Sequence, residues 1–389
     1  MRVQRPTAAL LVALVAGCGP AAAAPDDRVP SFHPAPLRPY AVGVRQFVVD
    51  PDGPRPLPVT VWYPAEPATP VPATARSTPD PTGNTVTGPD QAVTGPDQQA
   101  GPTDGAETGP TDGAETGPTD GAVTGPTDGA LTRPDQQPGP TDGAATGSTD
   151  GAGPVPRPGA PVAAGRFPVV VHSHGLRSLP ELHAALTTRW AAAGFVVAAP
   201  AYPRTNLRSR DFTRADVRNQ PADGWRLIRH LVRLDARRGD PLAGHLAVDR
   251  FAAAGHSAGG FTTAGMFTSG HSARLRAGIV MAGGGLAGSF AGPVAPLLFV
   301  HGGADPVVPE SVGRAAYARS LGPAAFLSLP GQGHGEYLTP GLPGFAQVLA
   351  ASTDFLRWTL YDDRRSRDRL PVDARLPGVT TLTTRAMPD

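Results

Sequence analysis

The sequence predicts an α/β fold in which a mostly parallel sheet is covered by helices on both faces. Three observations predict it. Six short runs, 169–173, 195–199, 251–255, 277–282, 297–301 and 324–328, are apolar on both faces, as strands buried under helices must be. The clearest connectors between them, 182–193, 224–234, 310–321 and 345–360, are long enough and patterned for helices. Strand and helix alternate along the chain, which is the signature of βαβ units.

The helical reading is strongest at 224–234. There Trp225, Ile228, Leu231 and Val232 share one face, and Arg226, Arg229 and Arg233 share the other. Upstream, 42–49 and 58–63 are short, β-branched and separated by a Pro/Gly/Asp cluster, so they read as two strands of an antiparallel pair. The expected domain is therefore built from 36–64 and 166–361, followed by a tail at 362–389.

Between the two parts, 65–165 has no regular patterning. The unit Gly-Pro-Thr-Asp-Gly-Ala-X-Thr recurs at 101, 109, 117, 125 and 139, with almost no large apolar side chain and a turn signal in every copy. Such a segment cannot repay the entropy of being ordered, and it reads as a disordered acidic insertion. A calcium-binding repeat is the alternative, but those repeats have a nine-residue period and more glycine. Residues 65–153 hold thirteen acidic and two basic residues, a charge of −11; with +1 for the whole chain, the rest carries +12. The 48 glycines and 47 prolines fit a folded part smaller than the 389-residue chain.

Composition excludes several chemistries. The sequence contains no lysine, which removes Ser-Lys dyads, P-loop nucleotide binding and Schiff-base or pyridoxal-phosphate catalysis. The arginines are scattered, giving no nucleic-acid footprint. No His/Cys/Asp group has metal-ligand spacing, so neither a metal nor another cofactor is expected.

The first 24 residues read as an export signal. Arg2 and Arg5 precede an apolar run, 8–16, too short for a permanent membrane span. The run ends in Val15-Ala16-Gly17-Cys18, which resembles the lipobox of bacterial lipoproteins, and Cys18 is the only cysteine. The expectation is a lipidated Cys18 and an extracytoplasmic, membrane-anchored monomer. Cleavage after Ala22-Ala23-Ala24 with simple secretion is the other reading.

The chemistry concentrates at strand ends. The run 251–255 leads into Gly255-His256-Ser257-Ala258-Gly259-Gly260 and then a helix, the setting in which small neighbours permit a sharp turn that exposes a serine hydroxyl. Ser257 needs a base, and that base needs an orienting acid. Asp305 follows the strand 297–301, and His334 follows the strand 324–328, in the order Ser, acid, His that such folds use. All three lie where an open parallel sheet places its site, at the carboxyl ends of strands. His174-Gly175-Leu176, after 169–173, matches a loop donating a backbone N–H to an oxyanion, and the donors are assigned to Leu176 and Ala258. His174 is read as a buttress of that loop, His256 as pointing away from the reaction, and His301 as a core residue.

Taken with Arg55-Pro56-Leu57-Pro58-Val59-Thr60-Val61-Trp62-Tyr63-Pro64, Phe167 to Leu176 and Gly194 to Pro200, these motifs resemble the α/β-hydrolases grouped around platelet-activating-factor acetylhydrolase and the predicted dienelactone hydrolases. The resemblance spans about 41–64 and 167–361 and implies metal-free hydrolysis of short or modified esters. Ser257 stands where true dienelactone hydrolases use cysteine, and the acidic insertion is foreign to the pattern. Only 283–295 separate two strands where large caps commonly insert, so no large cap domain is expected. The arginine-rich stretch 203–218 is either one wall of the site, attracting an anionic ester, or a solvated loop. A serine esterase acting on a small-molecule or lipid ester is the leading reading. A peptidase or polyester depolymerase on the same triad, or an inactive surface binding protein, are the alternatives.

Overall fold

The computed structural model describes residues 34–68 and 153–387. Contacts divide the chain into two units, 1–69 with 148–389, and 70–147, and every described residue belongs to the first. The export signal, Cys18 and the octapeptide repeats lie outside the described residues.

The described residues form a ten-stranded sheet in the order β10-β9-β8-β7-β6-β4-β5-β2-β1-β3. Its centre is parallel: β4 (Phe167–Ser173), β5 (Val196–Pro200), β6 (Leu246–His256), β7 (Leu275–Met281), β8 (Leu297–Gly302) and β9 (Ala324–Leu329). These are the six strands the sequence predicts. Every residue of β4, β5, β8 and β9 is buried, because helices cover both faces. The period of two sorts the side chains: Val169 and Val171 enter one apolar cluster and Val170 the other. One face is covered by α2 (Gln220–Asp235), α3 (Ala258–Gly265) and α4 (Glu310–Arg319). The other is covered by α1 (Ala184–Ala192), α5 (Phe345–Tyr361) and α6 (Arg364–Asp373). This is the α/β-hydrolase fold, and only 282–296 connect β7 to β8.

The hairpin of β1 (Ala41–Val49) and β2 (Leu57–Ala65) joins antiparallel to β5, with Val59 opposite Pro200 and Trp62 opposite Val197. Arg55, in its turn, forks onto Asp216 and Asp223, each at 2.6 Å. Both carboxylates are buried, so losing the guanidinium would leave Asp216 without a cation and Asp223 with only Arg226, 3.3 Å away, at a cost of about 3–5 kcal/mol.

Several boundaries differ from the sequence reading, among them the start of β6, at Leu246 rather than 251. Residues 153–165, expected within the insertion, belong to the domain. β3 (Arg157–Pro158) pairs with β1, Ala163 donates its N–H to Pro64 O at 3.0 Å, and Glu66 donates to Pro161 O at 3.0 Å. The tail is structured as well: α6 is capped by Asp363, and β10 (Thr381–Arg385) adds antiparallel to β9. Finally, α2 begins at Gln220 rather than 224, since Pro221 sits in the first turn, where its missing N–H costs nothing.

The bonds joining 64–66 to 161–163 close the stem of the insertion. Because β2 is antiparallel to β5, this stem lies at the amino-terminal edge of the parallel strands, opposite the edge that carries Ser257. Deleting residues 76–150 is therefore expected to preserve the fold and to stabilise it by only ~1–2 kcal/mol through a shorter closed loop. Hydrolysis of a small soluble ester should stay within about threefold of wild type. A deletion protein with native circular dichroism and no activity would contradict this topological argument.

Candidate active site

The site is built where β6 turns into α3. Ser257 has φ 56° and ψ −123°, a left-handed backbone that a non-glycine residue adopts only when its surroundings impose it. They do so through close backbone contact. A Cβ on Gly259 would lie 2.0 Å from Ser173 O, and one on Gly255 would lie 2.2 Å from Gly259 O. Only glycine fits either position. The turn is fixed further by Ser257 N–H donating to Met281 O at 2.9 Å.

Asp305 and His334 come from neighbouring strands. The loops after β8 and β9 are laced by Gly303 N–H to Leu329 O at 2.8 Å and Ala304 N–H to Gln332 O at 2.9 Å. A Cβ on Gly302 would strike Gly333 O at 2.0 Å, so this approach also needs glycine. His334 Nδ1 lies 2.7 Å from Asp305 Oδ2. A carboxylate only accepts, so Nδ1 carries the proton and the neutral ring keeps its lone pair on Nε2. The other oxygen, Oδ1, accepts from Val307 N–H at 2.8 Å and Val308 N–H at 2.9 Å. Burial alone would raise the Asp305 value, but the His334 hydrogen bond and those of Val308 and Val307 hold it below the ordinary carboxylate range. Asp305 is thus an anion with its oxygens fully engaged.

Two histidines support this pair. His301, fully buried, donates Nε2–H to Val308 O at 2.8 Å and stands 3.6 Å from Asp305 Oδ2. It is more than the core residue that the sequence implies, and its i,i+4 spacing from Asp305 was the available signal. His256 donates Nε2–H to the backbone carbonyl of His334, and the two rings stand 4.8 Å apart. Its support of the His334 loop was not foreseen.

The loop after β4 lies on the other side of Ser257. A Cβ on Gly175 would be 3.2 Å from Ser257 Cβ and 3.7 Å from Oγ. His174 holds this loop: its Nε2 accepts from Tyr202 N–H at 3.0 Å and its Nδ1 donates to Gly175 O at 2.6 Å. Both nitrogens are occupied, which makes it a buttress. Among the described residues the backbone N–H groups of Leu176 and Ala258 have no hydrogen-bond partner. The structure thus gathers Ser257, Asp305, His334, Leu176 and Ala258 at one edge. It joins Asp305 to His334, while no hydrogen bond links Ser257 Oγ to His334 Nε2.

A fold with a half-buried serine on a strained strand-to-helix turn, at the carboxyl ends of parallel strands, is that of a hydrolase of the α/β-hydrolase class. A family model, platelet-activating factor acetylhydrolase, isoform II, matches residues 148–216, and the chain resembles that family. The matched segment holds His174 to Leu176 but not Ser257, Asp305 or His334. A search of curated proteins found no match. Fold and family match together support a serine hydrolase of the esterase kind.

Burial lowers the histidines around the site: from 6.5 to about 3 for His172, to about 4 for His174 and His256, and well below 6.5 for His183. An imidazole held below its unfolded value contributes stability that is complete above about pH 6.5 and is lost as pH falls toward its folded value. With four such rings, the melting temperature is expected to fall by at least about 10 °C between pH 7 and pH 5. Calorimetry across that range checks this, and a flat profile would mean that the rings are not buried neutral.

Proposed function

We propose that the protein is a carboxylic ester hydrolase that works through an acyl-enzyme on Ser257, with His334 as general base and Asp305 as its orienting acid. The observation that carries this reading is the His334–Asp305 hydrogen bond of 2.7 Å beside a serine held at φ 56°. Asp305 fixes the tautomer in which Nε2 is free to accept a proton. Ser257 Oγ attacks the ester carbonyl carbon as its proton passes to His334 Nε2. The carbonyl oxygen becomes an oxyanion and accepts from the N–H groups of Leu176 and Ala258, which stand ready without other partners. The tetrahedral intermediate collapses, the C–O bond to the alcohol breaks, and the leaving alkoxide takes the proton from Nε2. Water then repeats the sequence on the acyl-serine, releasing the acid and restoring the Ser257 hydroxyl.

The imidazolium formed in each half-reaction is stabilised by an Asp305 that stays ionised at neutral pH. Ser257→Ala is expected to lower turnover of p-nitrophenyl butyrate at least about 10³-fold, and Asp305→Asn about 10³–10⁴-fold. A folded Ser257→Ala protein that keeps most of its activity would remove the nucleophile assignment. His256→Leu, which takes a donor from the His334 carbonyl, should cost about tenfold in kcat with KM little altered. His256→Gln, which keeps a donor, should recover part of that loss. Equal losses in both variants would mean that the bond does not position His334.

A further inference from the structure

We propose that Arg177, set among the arginines of 204–218, makes the site selective for esters whose acyl part carries a negative charge. The proposal rests on the serine-esterase reading of the site and names its substrate class.

Arg177 is anomalous where it stands. It directly follows Leu176, on the loop that touches Ser257, and its backbone is left-handed with φ 50°. Glycine is the default residue there, and a side chain in that conformation costs on the order of a fold-change of ten in the folding equilibrium. The guanidinium is nevertheless placed rather than loose: it lies over the Phe212 ring, 4.0 Å from the centroid. Arg177 N–H donates to Thr205 O at 2.7 Å, and Leu207 N–H donates to Ser178 O at 3.0 Å. The loops after β4 and β5 are therefore laced into one surface beside the reaction centre.

That surface is positive. Arg177, Arg204, Arg208, Arg210, Arg214 and Arg218 are all exposed, and among the described residues none has a carboxylate partner. Of the carboxylates in the same stretch, Asp216 is consumed by Arg55 and Glu181 accepts from Thr60 and Gln46. Glu181, whose partners are neutral, and the exposed Asp211 together offset only two of the six guanidinium charges.

Topology assigns the charge to one half of the substrate. In the sheet order, β4 and β5 lie on one side of β6, and β8 and β9, which carry Asp305 and His334, lie on the other. The base must reach the leaving oxygen, so the alcohol faces β8 and β9. The acyl group retained on Ser257 is directed away from it, toward Arg177. A carboxylate a few carbons along that acyl chain meets a guanidinium fork that matches it.

The test compares three esters: p-nitrophenyl butyrate, the half-ester mono-p-nitrophenyl succinate, and 4-carboxyphenyl butyrate, which carries its charge on the alcohol side. Arg177→Gly removes the cation and suits the backbone; Arg177→Lys retains charge without the planar fork. The wild type is expected to show its highest kcat/KM on the succinate half-ester. Arg177→Gly should lower kcat/KM on that ester at least tenfold further than on the other two, with Arg177→Lys in between. Raising NaCl from 0.05 to 0.5 M should reduce the preference. Equal losses on all three esters would make Arg177 a loop clamp and overturn the proposal, as would a larger loss on 4-carboxyphenyl butyrate. Hydrolysis of none of the three by the wild type would instead bring down the esterase reading itself.

Discussion

The architecture at the catalytic edge depends on the contact between the start of α3 and the end of β4. With Gly259 set against Ser173 O and Gly255 against Gly259 O, the turn at Ser257 has no room for another backbone path. The same approach draws Gly175 up to the Ser257 side chain, so the strain of the turn and the placement of the N–H groups of Leu176 and Ala258 have one origin. Strain of this kind persists only where the surroundings over-determine it. Here they include the parallel registers of β6 with β4 and β7, which run to Ser173–Gly255 and His256–Met281.

Charge is allotted sparingly around that contact. His172, His174, His183 and His256 are kept neutral by burial, and each has a packing or hydrogen-bonding place rather than a titrating one. Asp305 is the carboxylate that stays ionised, because His334 and two backbone N–H groups occupy its oxygens. The fixed anion of Asp305 lies against His334 at 2.7 Å, where the proposed mechanism develops positive charge. The positive surface formed by Arg177 and the loop after β5 lies outside this shell, exposed to solvent.

Much of this was legible in the sequence. The six central strands are readable because burial on both faces leaves uninterrupted apolar runs, and Ser257, Asp305 and His334 follow from their place at strand ends. The elements that escaped have weak signals. In β10, Thr-Leu-Thr-Thr-Arg is a polar edge strand, and α6 carries four arginines and an internal Pro371. β3 is two residues long and owes its place to pairing with β1. Contacts of long sequence separation left no trace either: Arg55 reaches Asp216 and Asp223 across 161 and 168 positions, and His256 reaches the His334 carbonyl across 78. The left-handed backbone at Arg177 was equally hidden, since nothing in its residue type announces a positive φ.

The central claim is that Ser257 is activated by an imidazole oriented by Asp305. Peptide mass spectrometry after treatment with a fluorophosphonate tests it most directly, because the reagent is attacked only by an activated serine. The account predicts a phosphonyl adduct on Ser257 in the wild-type protein, formed at least about 10²-fold more slowly in folded His334→Ala. Absence of the adduct, its appearance on another serine, or an equal rate in the His334 variant would contradict it.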